Sequence, residues 1–305
     1  MIHLAEQLLN GAQFGVMLFL MAAGLTLVFG IMNLINLAHG SFYMVGAYAA
    51  AAAFAATGSF LLGLAAALAA AALVGVAVEI TVFRQLYDRQ HLDQVLATFG
   101  LILFFNEAVR MIWGSTALYM RLPAVLNGRV ELLPGIPYPT YRLAIIAVGL
   151  GVAALLYLLI ARTRLGMLIR AGAANRVMLG ALGVNVRLLY TLVFALGAVL
   201  AALAGVMAGP IFTVESGMGE NVLILAFVVI VIGGIGSIRG AFAAALLIGI
   251  VDAVGRAYLR PLLALTMSTS AADKAGPALA SMLIYIVMAA VLFLRPQGLF
   301  PPRTR

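Results

Sequence analysis

The chain has 305 residues, of which 65% are hydrophobic and 9% are charged, and its mean hydropathy is +1.16. This composition excludes a water-soluble globular protein, because a single core of this size cannot bury so much apolar surface. The formal charge of +8 would suggest nucleic acid in a soluble protein, but the arginines lie at the borders of apolar runs, so we expect no nucleic-acid partner. The absence of cysteine excludes disulfides and thiolate metal sites.

Apolar runs of about 20 residues recur along the whole chain, and each is long enough to cross a hydrocarbon core of about 30 Å as a helix. The runs do not alternate between apolar and polar residues, which argues against a membrane β-barrel. The sequence therefore predicts an all-α, polytopic transmembrane bundle, a single domain over 1–305 with eight or nine spans and some broken helices. The predicted spans are 11–32, 40–58, 61–82, 94–113, 142–161, 188–209, 220–236, 240–259 and 277–294.

The segment 29–41, FGIMNLINLAHGS, interrupts the apolar pattern and places polar side chains at membrane depth. Non-helical backbone at that depth is tolerated only where protein or a water-filled route satisfies it. We therefore interpret the segment as part of a translocation path. The alternative is that its asparagines only bond a neighbouring helix. The path candidates are Asn33, Asn36, His39, Gly40 and Ser41.

Three acidic residues inside the predicted spans have a basic residue a few positions further along the chain. For Glu79 and Arg84, near the end of the third span, we expect a solvated pair. Opposite charges three or four residues apart face each other on a helix, which predicts local ion pairs for the other two. These pairs are Glu107 with Arg110 and Asp252 with Arg256.

The segment from 162 to 187 carries five of the eighteen cationic residues and no acid. Basic loops between spans lie in the cytoplasm, so this loop orients the chain. Alternation of the spans then puts the carboxyl terminus inside the cell and the amino terminus outside.

Apolar residues at helical spacing run through this loop and predict one short amphipathic helix. We call them the apolar stripe: Met167, Ala171, Ala174, Met178 and Leu182. Such a helix either lies on lipid headgroups or inserts its apolar face into a groove on a soluble partner. Several glycines in the loop indicate bends and close approach, which favour the protein partner.

A second interruption, GGIGSIRG, occupies 233–240. Gly40 and Phe42 recur as Gly240 and Phe242, which suggests two related halves that each contain a broken helix. Broken helices build binding sites near the middle of the membrane in several transporter folds, so we assign this segment to the path as well. Close helix packing through small residues is the alternative. The added candidates are Gly233, Gly234, Gly236 and Gly240.

Five segments, in order along nearly the whole chain, resemble the LivH-type branched-chain amino acid permeases of ATP-binding cassette importers. They are GLTLVFGIMNLINLAHGSFYMVGAY (24–48), ATFGLILFFNEAVRMIWG (97–114), TRLGMLIRAGAANRVMLGALGVN (163–185), VIGGIGSIRGAF (231–242) and RPQGLF (295–300). The chain departs from the family pattern at Leu37, where phenylalanine is usual, at Ser41, where an acid is common, and at Arg239, where proline is frequent.

The resemblance implies a permease subunit that moves branched-chain or other neutral amino acids into the cytoplasm across the bacterial inner membrane. It implies four kinds of partner: a homologous LivM-type permease, two ATP-binding cassette ATPase subunits, a periplasmic or lipid-anchored substrate-binding protein, and membrane lipid. In such importers the cytoplasmic loop docks on the ATPase. The residues that match the docking element are Arg164, Gly166, Arg170, Ala171, Asn175, Gly183 and Asn185.

The chain lacks the Gly-x-x-x-x-Gly-Lys-Ser/Thr motif of P-loop proteins, and its only lysine is Lys274. We therefore expect a translocation subunit that is not an enzyme and binds no cofactor or metal, with ATP hydrolysed by partner subunits. Three alternatives stay open: a permease for urea or short amides, a passive channel, and an ion-coupled secondary transporter in which Asp252 is the best proton-carrying candidate.

Overall fold

The computed structural model describes residues 2–133 and 136–300, and each predicted span overlaps one of its helices. In chain order the helical elements are α1 (Ile2–Met32), α2 (His39–Thr57), α3 (Phe60–Val78), a π-helical turn (Glu79–Phe83), α4 (Arg84–Leu86), α5 (His91–Trp113), a short 3-10 turn (Ala124–Leu126), α6 (Thr140–Arg162), α7 (Arg164–Ala174), α8 (Arg176–Ala181), α9 (Val186–Ala208), α10 (Met218–Gly233), α11 (Ile238–Leu263) and α12 (Thr269–Leu294). The predicted helical membrane bundle is confirmed.

Seven helices of the described residues are long and apolar enough to cross a membrane, against the eight or nine spans expected from the sequence. The difference lies in α2 and α10. Helix α10 has 16 residues and is too short, whereas α2 has 19 residues but is less apolar, since it begins with His39 and Ser41. Helix α2 is also buried along most of its first twelve residues. A helix enclosed by other helices does not face lipid, so its sequence tolerates His39 and Ser41 in the first turn.

Helix α1 lies at the centre of the bundle, antiparallel to α11 and α9. A Cβ atom on Gly11 would lie 2.7 Å from the Ile250 Cα, and one on Gly24 would lie 2.6 Å from the Gly197 carbonyl oxygen. At these points the helices touch backbone to backbone, and only glycine fits. Because lipid is as apolar as leucine, this close van der Waals packing, rather than a hydrophobic difference, holds membrane helices together.

The two predicted helix interruptions are real, and the second lies against the last turn of α1, which leads into the first. The first is the non-helical stretch 33–38 between α1 and α2, and the second is 234–237 between α10 and α11. A Cβ atom on Gly30, near the end of α1, would lie 3.4 Å from the Cα of Gly236. The tertiary fold thus brings together two breaks that are some two hundred positions apart in the chain.

A small antiparallel hairpin, which the all-α prediction did not include, lies between α5 and α6. Its strands are β1 (Arg129–Leu133) and β2 (Ile136–Pro139). The Tyr138 hydroxyl donates a hydrogen bond of 3.2 Å to the Asn10 side chain, which fastens the hairpin to the first part of α1.

Candidate translocation path and coupling loop

The first turns of helices α2 and α10 are in direct contact with each other. A Cβ atom on Gly40 would lie 2.5 Å from the Gly219 carbonyl oxygen, and one on Gly219 would lie 1.9 Å from the carbonyl oxygen of Gly40. At the other end of α10, a Cβ atom on Gly233 would lie 2.4 Å from the carbonyl carbon of Gly240. Both glycines that the sequence comparison paired, Gly40 and Gly240, therefore hold an end of α10 by direct backbone contact.

The break at 33–38 contains polar atoms that no described residue satisfies. Asn36 is fully buried, and neither its amide nitrogen nor its amide oxygen has a hydrogen-bond partner there. The Nε2 atom of His39, a side chain that is 1% exposed, also has none. Asn33 is exposed and adopts a left-handed φ of +50°. Buried polar groups without partners are rare and mark places that water or a solute can occupy.

A small recess opens where α2, α5 and α10 meet. Its lining residues are Leu37, Gly40, Ser41, Met44, Ile102, Asn106, Gly219 and Glu220. Of the path candidates named from the sequence, Gly40 and Ser41 line this recess.

Asn106 and Glu220 were missed by the sequence interpretation. The Asn106 side-chain nitrogen donates a 2.6 Å hydrogen bond to Glu220 Oε1, and the Ser216 hydroxyl donates to the Asn106 backbone carbonyl at 3.3 Å. Glu220 stands at the first position of a predicted span, and the sequence analysis assigned it no role. A carboxylate with no basic neighbour in sequence was the available signal.

The four glycines at the second break lie at the other end of α10, away from this recess. Gly234 and Gly236 adopt left-handed φ values of +100° and +82° that favour glycine. The backbone N–H groups of Leu299 and Phe300 donate to the carbonyls of residues 232 and 233, at 2.8 and 3.0 Å. The RPQGLF segment thus caps the carboxyl end of α10. The candidate path residues therefore form two groups rather than one cluster.

The loop at 162–187 contains two helices, α7 and α8, so the prediction of one amphipathic helix is wrong. The reason is Asn175, whose extended backbone ends α7 and whose side chain caps α8 by accepting from the Met178 N–H at 2.9 Å. The members of the apolar stripe are all exposed, with Leu182 at 74%. Ile169 and Leu179 are the side chains that pack inward. The stripe is thus an uncovered apolar surface.

Most of the predicted coupling residues shape this loop. A Cβ atom on Gly166 would lie 2.2 Å from the Leu159 carbonyl oxygen, so the turn between α6 and α7 requires glycine. Gly183 has a left-handed φ of +84°, Asn185 caps α9, and Arg170 donates to the Ile160 carbonyl. The remaining two, Arg164 and Ala171, are exposed.

The loop is seated on the end of α1, directly before the first break. A Cβ atom on Gly172 of α7 would lie 3.3 Å from the Ile31 Cδ1 atom. The Tyr190 hydroxyl, in the first turns of α9, donates to the Ile31 carbonyl at 3.4 Å. Any displacement of α7 and α9 therefore acts on the residues that precede the 33–38 break.

The expectation of a solvated Glu79–Arg84 pair is wrong, because the Glu79 side chain is 0% exposed. Its carboxylate accepts hydrogen bonds from Arg84 at 3.0 Å and from the Tyr87 hydroxyl and Thr191 hydroxyl at 2.6 Å each. Burial and then the hydrogen bond to Glu79 raise the pKa of the Tyr87 phenol, so this hydroxyl remains a donor at neutral pH.

The two other predicted ion pairs are present, at 2.8 Å for Glu107 with Arg110 and 2.9 Å for Asp252 with Arg256.

Comparison with known proteins explains this arrangement. Residues 7–292 match the family described as the branched-chain amino acid transport system permease component. The chain belongs to this family. It is 32% identical to the high-affinity branched-chain amino acid transport system permease protein BraD of Pseudomonas aeruginosa, over 97% of this chain and 95% of that protein. It is 31% identical to the corresponding permease protein LivH of Escherichia coli K12, over 85% of this chain and 88% of that protein.

No solved structure matches the chain. With its apolar spans, this member of the permease family is a multi-pass membrane protein, and members of the family are transporter subunits rather than enzymes.

Proposed function

We propose that this chain is the permease subunit of an ATP-binding cassette importer that moves branched-chain or other neutral amino acids into the cytoplasm. The observation that carries the proposal is the 32% identity to BraD over 97% of this chain, since both BraD and LivH are named as permeases of high-affinity branched-chain amino acid transport. The chain lies in the bacterial inner membrane, with the 162–187 loop and the carboxyl terminus in the cytoplasm.

Energy enters from partner subunits. The chain contains no P-loop motif, so it binds no cofactor of its own, and two ATP-binding cassette subunits hydrolyse ATP. The exposed apolar stripe on α7 and α8 supports a docking role for this loop, because an uncovered apolar surface at a membrane border marks an interaction site. A LivM-type permease completes the transmembrane unit, and a periplasmic or lipid-anchored binding protein delivers the solute.

The breaks in α1–α2 and α10–α11 line the solute route. Docked ATPases displace α7 and α9, which are seated on Ile31, and the movement reaches the 33–38 segment. Rigid helices that are joined at a non-helical break can exchange between two packed arrangements, as alternating access requires. The path residues Asn36 and His39, with their unsatisfied polar atoms, then meet water or solute in one of these arrangements.

Reconstitution of the complete complex in vesicles, with its two ATPases, second permease and binding protein, tests the proposal. We expect ATP-dependent accumulation of labelled leucine against its gradient. Leucine equilibration without accumulation would indicate a channel, and accumulation by this chain alone, driven by an ion gradient, would indicate a secondary transporter. Accumulation of urea with no leucine uptake would identify the amide-type permease instead.

A further inference from the structure

We propose that the recess between α2, α5 and α10 is a subsite that binds the charged head of a zwitterionic amino acid. In this arrangement Glu220 receives the ammonium group, and the first turns of α2 and α10, with the Ser41 hydroxyl, receive the carboxylate. The inference rests on the proposed function, because it names the groups that recognise the solute of that permease.

The first observation is a carboxylate in the first turn of α10 with no cation beside it. Asn106, which holds Glu220, stands seven residues before the end of α5 at Trp113, about 10 Å along the helix. Glu220 takes part in none of the ion pairs among the described residues, and Asn106 bonds only its Oε1 atom. Glu220 is exposed at the edge of the recess, so its second oxygen is open to a partner of opposite charge. The recess therefore suits a cationic group.

The second observation is the pairing of two helix starts on the same recess. Because Gly40 and Gly219 touch backbone to backbone, the first turns of α2 and α10 lie side by side. The N–H groups of these two glycines donate no hydrogen bond within the described residues. Free N–H groups and the positive end of each helix dipole favour an anion at this point.

The third observation is independent of the helix dipoles and comes from Ser41. This side chain is 5% exposed, lines the recess, and makes no hydrogen bond in the part of the chain that the structure describes. Because the side chain lines the recess, its hydroxyl is open to a partner that enters there. A carboxylate held between the glycine N–H groups would accept its proton.

The wall beyond the polar groups is apolar. It is formed by Leu37, Met44 and Ile102, of which Met44 is 1% and Ile102 9% exposed. The recess thus combines a carboxylate, free donors and an aliphatic surface. This is the pattern of an amino acid with an aliphatic side chain, and neither an uncharged amide such as urea nor an inorganic ion uses all three.

Protection of a single introduced thiol tests the subsite directly. The chain has no native cysteine, so Ile102→Cys creates one reporter in the recess, and Val125→Cys, 90% exposed outside it, serves as the matched control. In the complete complex with cysteine-free partners, we expect leucine to slow modification of Ile102→Cys by a small methanethiosulfonate reagent. It should leave Val125→Cys unchanged. The same measurement on Met44→Cys replaces Ile102→Cys if that variant does not assemble.

One protein variant and one ligand analogue test the contact between Glu220 and the ammonium group. Adding Glu220→Gln to the reporter should abolish protection by leucine, and 4-methylpentanoate, which lacks the ammonium group, should not protect the original reporter. Glu107→Gln, which removes a carboxylate from α5 outside the recess, should leave protection intact. Loss of the Glu220 charge should also lower ATP-driven leucine uptake about tenfold, the cost of a charge-assisted hydrogen bond.

The complex could accumulate leucine although leucine protects neither Ile102→Cys nor Met44→Cys. That result would overturn the proposed subsite and leave the proposed function standing. Equal protection with Glu220→Gln would likewise remove the carboxylate from the proposal. A complex that accumulates no leucine at all would instead reject the proposed function.

Discussion

The Thr191 hydroxyl donates a 2.6 Å hydrogen bond to the carboxylate of Glu79, a residue 112 positions earlier in the chain. Thr191 lies in the second turn of α9, the helix that leaves the coupling loop, and Glu79 opens the π-helical turn that follows α3. The contact is fully buried on the Glu79 side. It joins the carboxyl end of α3 to the helix through which we propose that ATPase movement enters.

Replacement of Glu79 by alanine should strongly destabilise the protein. The change leaves Arg84 and the Tyr87 hydroxyl without their buried acceptor, and breaking a buried pair in this way costs about 3–5 kcal/mol. The thermal unfolding midpoint of the purified protein in detergent measures the loss. Glu107→Ala is the control, because that pair is exposed and such pairs contribute about 0–1 kcal/mol. Equal midpoints for the two variants would contradict the buried network.

Replacement of Gly40 by alanine should prevent α2 and α10 from packing. Its methyl group would lie 2.5 Å from the Gly219 carbonyl oxygen, and overpacking of a close backbone contact costs about 1–3 kcal/mol or more. The yield of folded, monodisperse protein measures the effect. Gly100→Ala in α5 is the matched control, since a Cβ atom there meets nothing within 4 Å. A normal yield for Gly40→Ala would mean that the crossing is not this tight.

A triple variant in which serine replaces Met167, Met178 and Leu182 should uncouple leucine uptake from ATP hydrolysis. These exposed apolar side chains form the proposed docking surface, and loss of such anchors costs about 1–2 kcal/mol each. We expect ATP-driven leucine uptake to fall about tenfold or more, with the amount of protein in the membrane unchanged. Val125→Ser, a change at an even more exposed apolar residue between α5 and α6, should not affect uptake. Full coupling in the triple variant would exclude the stripe as the docking site.

Replacement of Asp252 by asparagine should leave leucine uptake dependent on ATP and insensitive to ionophores. Asp252 makes both of its 2.9 Å contacts with Arg256 on the same helix, and the amide oxygen of an asparagine there can still accept from this half-exposed guanidinium. Uptake by the reconstituted complex, measured with and without a protonophore, checks this. A collapse of uptake in Asp252→Asn at normal protein levels would revive the ion-coupled mechanism.

Local pattern predicted the helices well and their contacts poorly. Run length located a helix at each of the nine predicted spans, and the glycine and asparagine segments marked both breaks. The Asn175 cap was missed because the apolar spacing continues across it, and an asparagine can sit inside a helix or begin one. Glu79 was misjudged because a charge near a span end is usually solvated, and its contact with Thr191 on another helix is not visible in the local sequence.

Charge distribution and apolar run length were enough to establish a helical membrane protein with a basic loop and two broken helices, because both are properties of neighbouring residues. They could not establish which faces meet. Helices α1 and α12 have mean hydropathies of 2.3 and 2.4, yet they differ in burial. Of the apolar stretch of each helix, 83% is buried in α1 and 11% in α12. In a chain where nearly every helix is apolar, hydropathy does not distinguish lipid from neighbouring protein. Shape does, through glycine contacts such as Gly40 with Gly219, and these contacts bring Ser41, Asn106 and Glu220 to one recess.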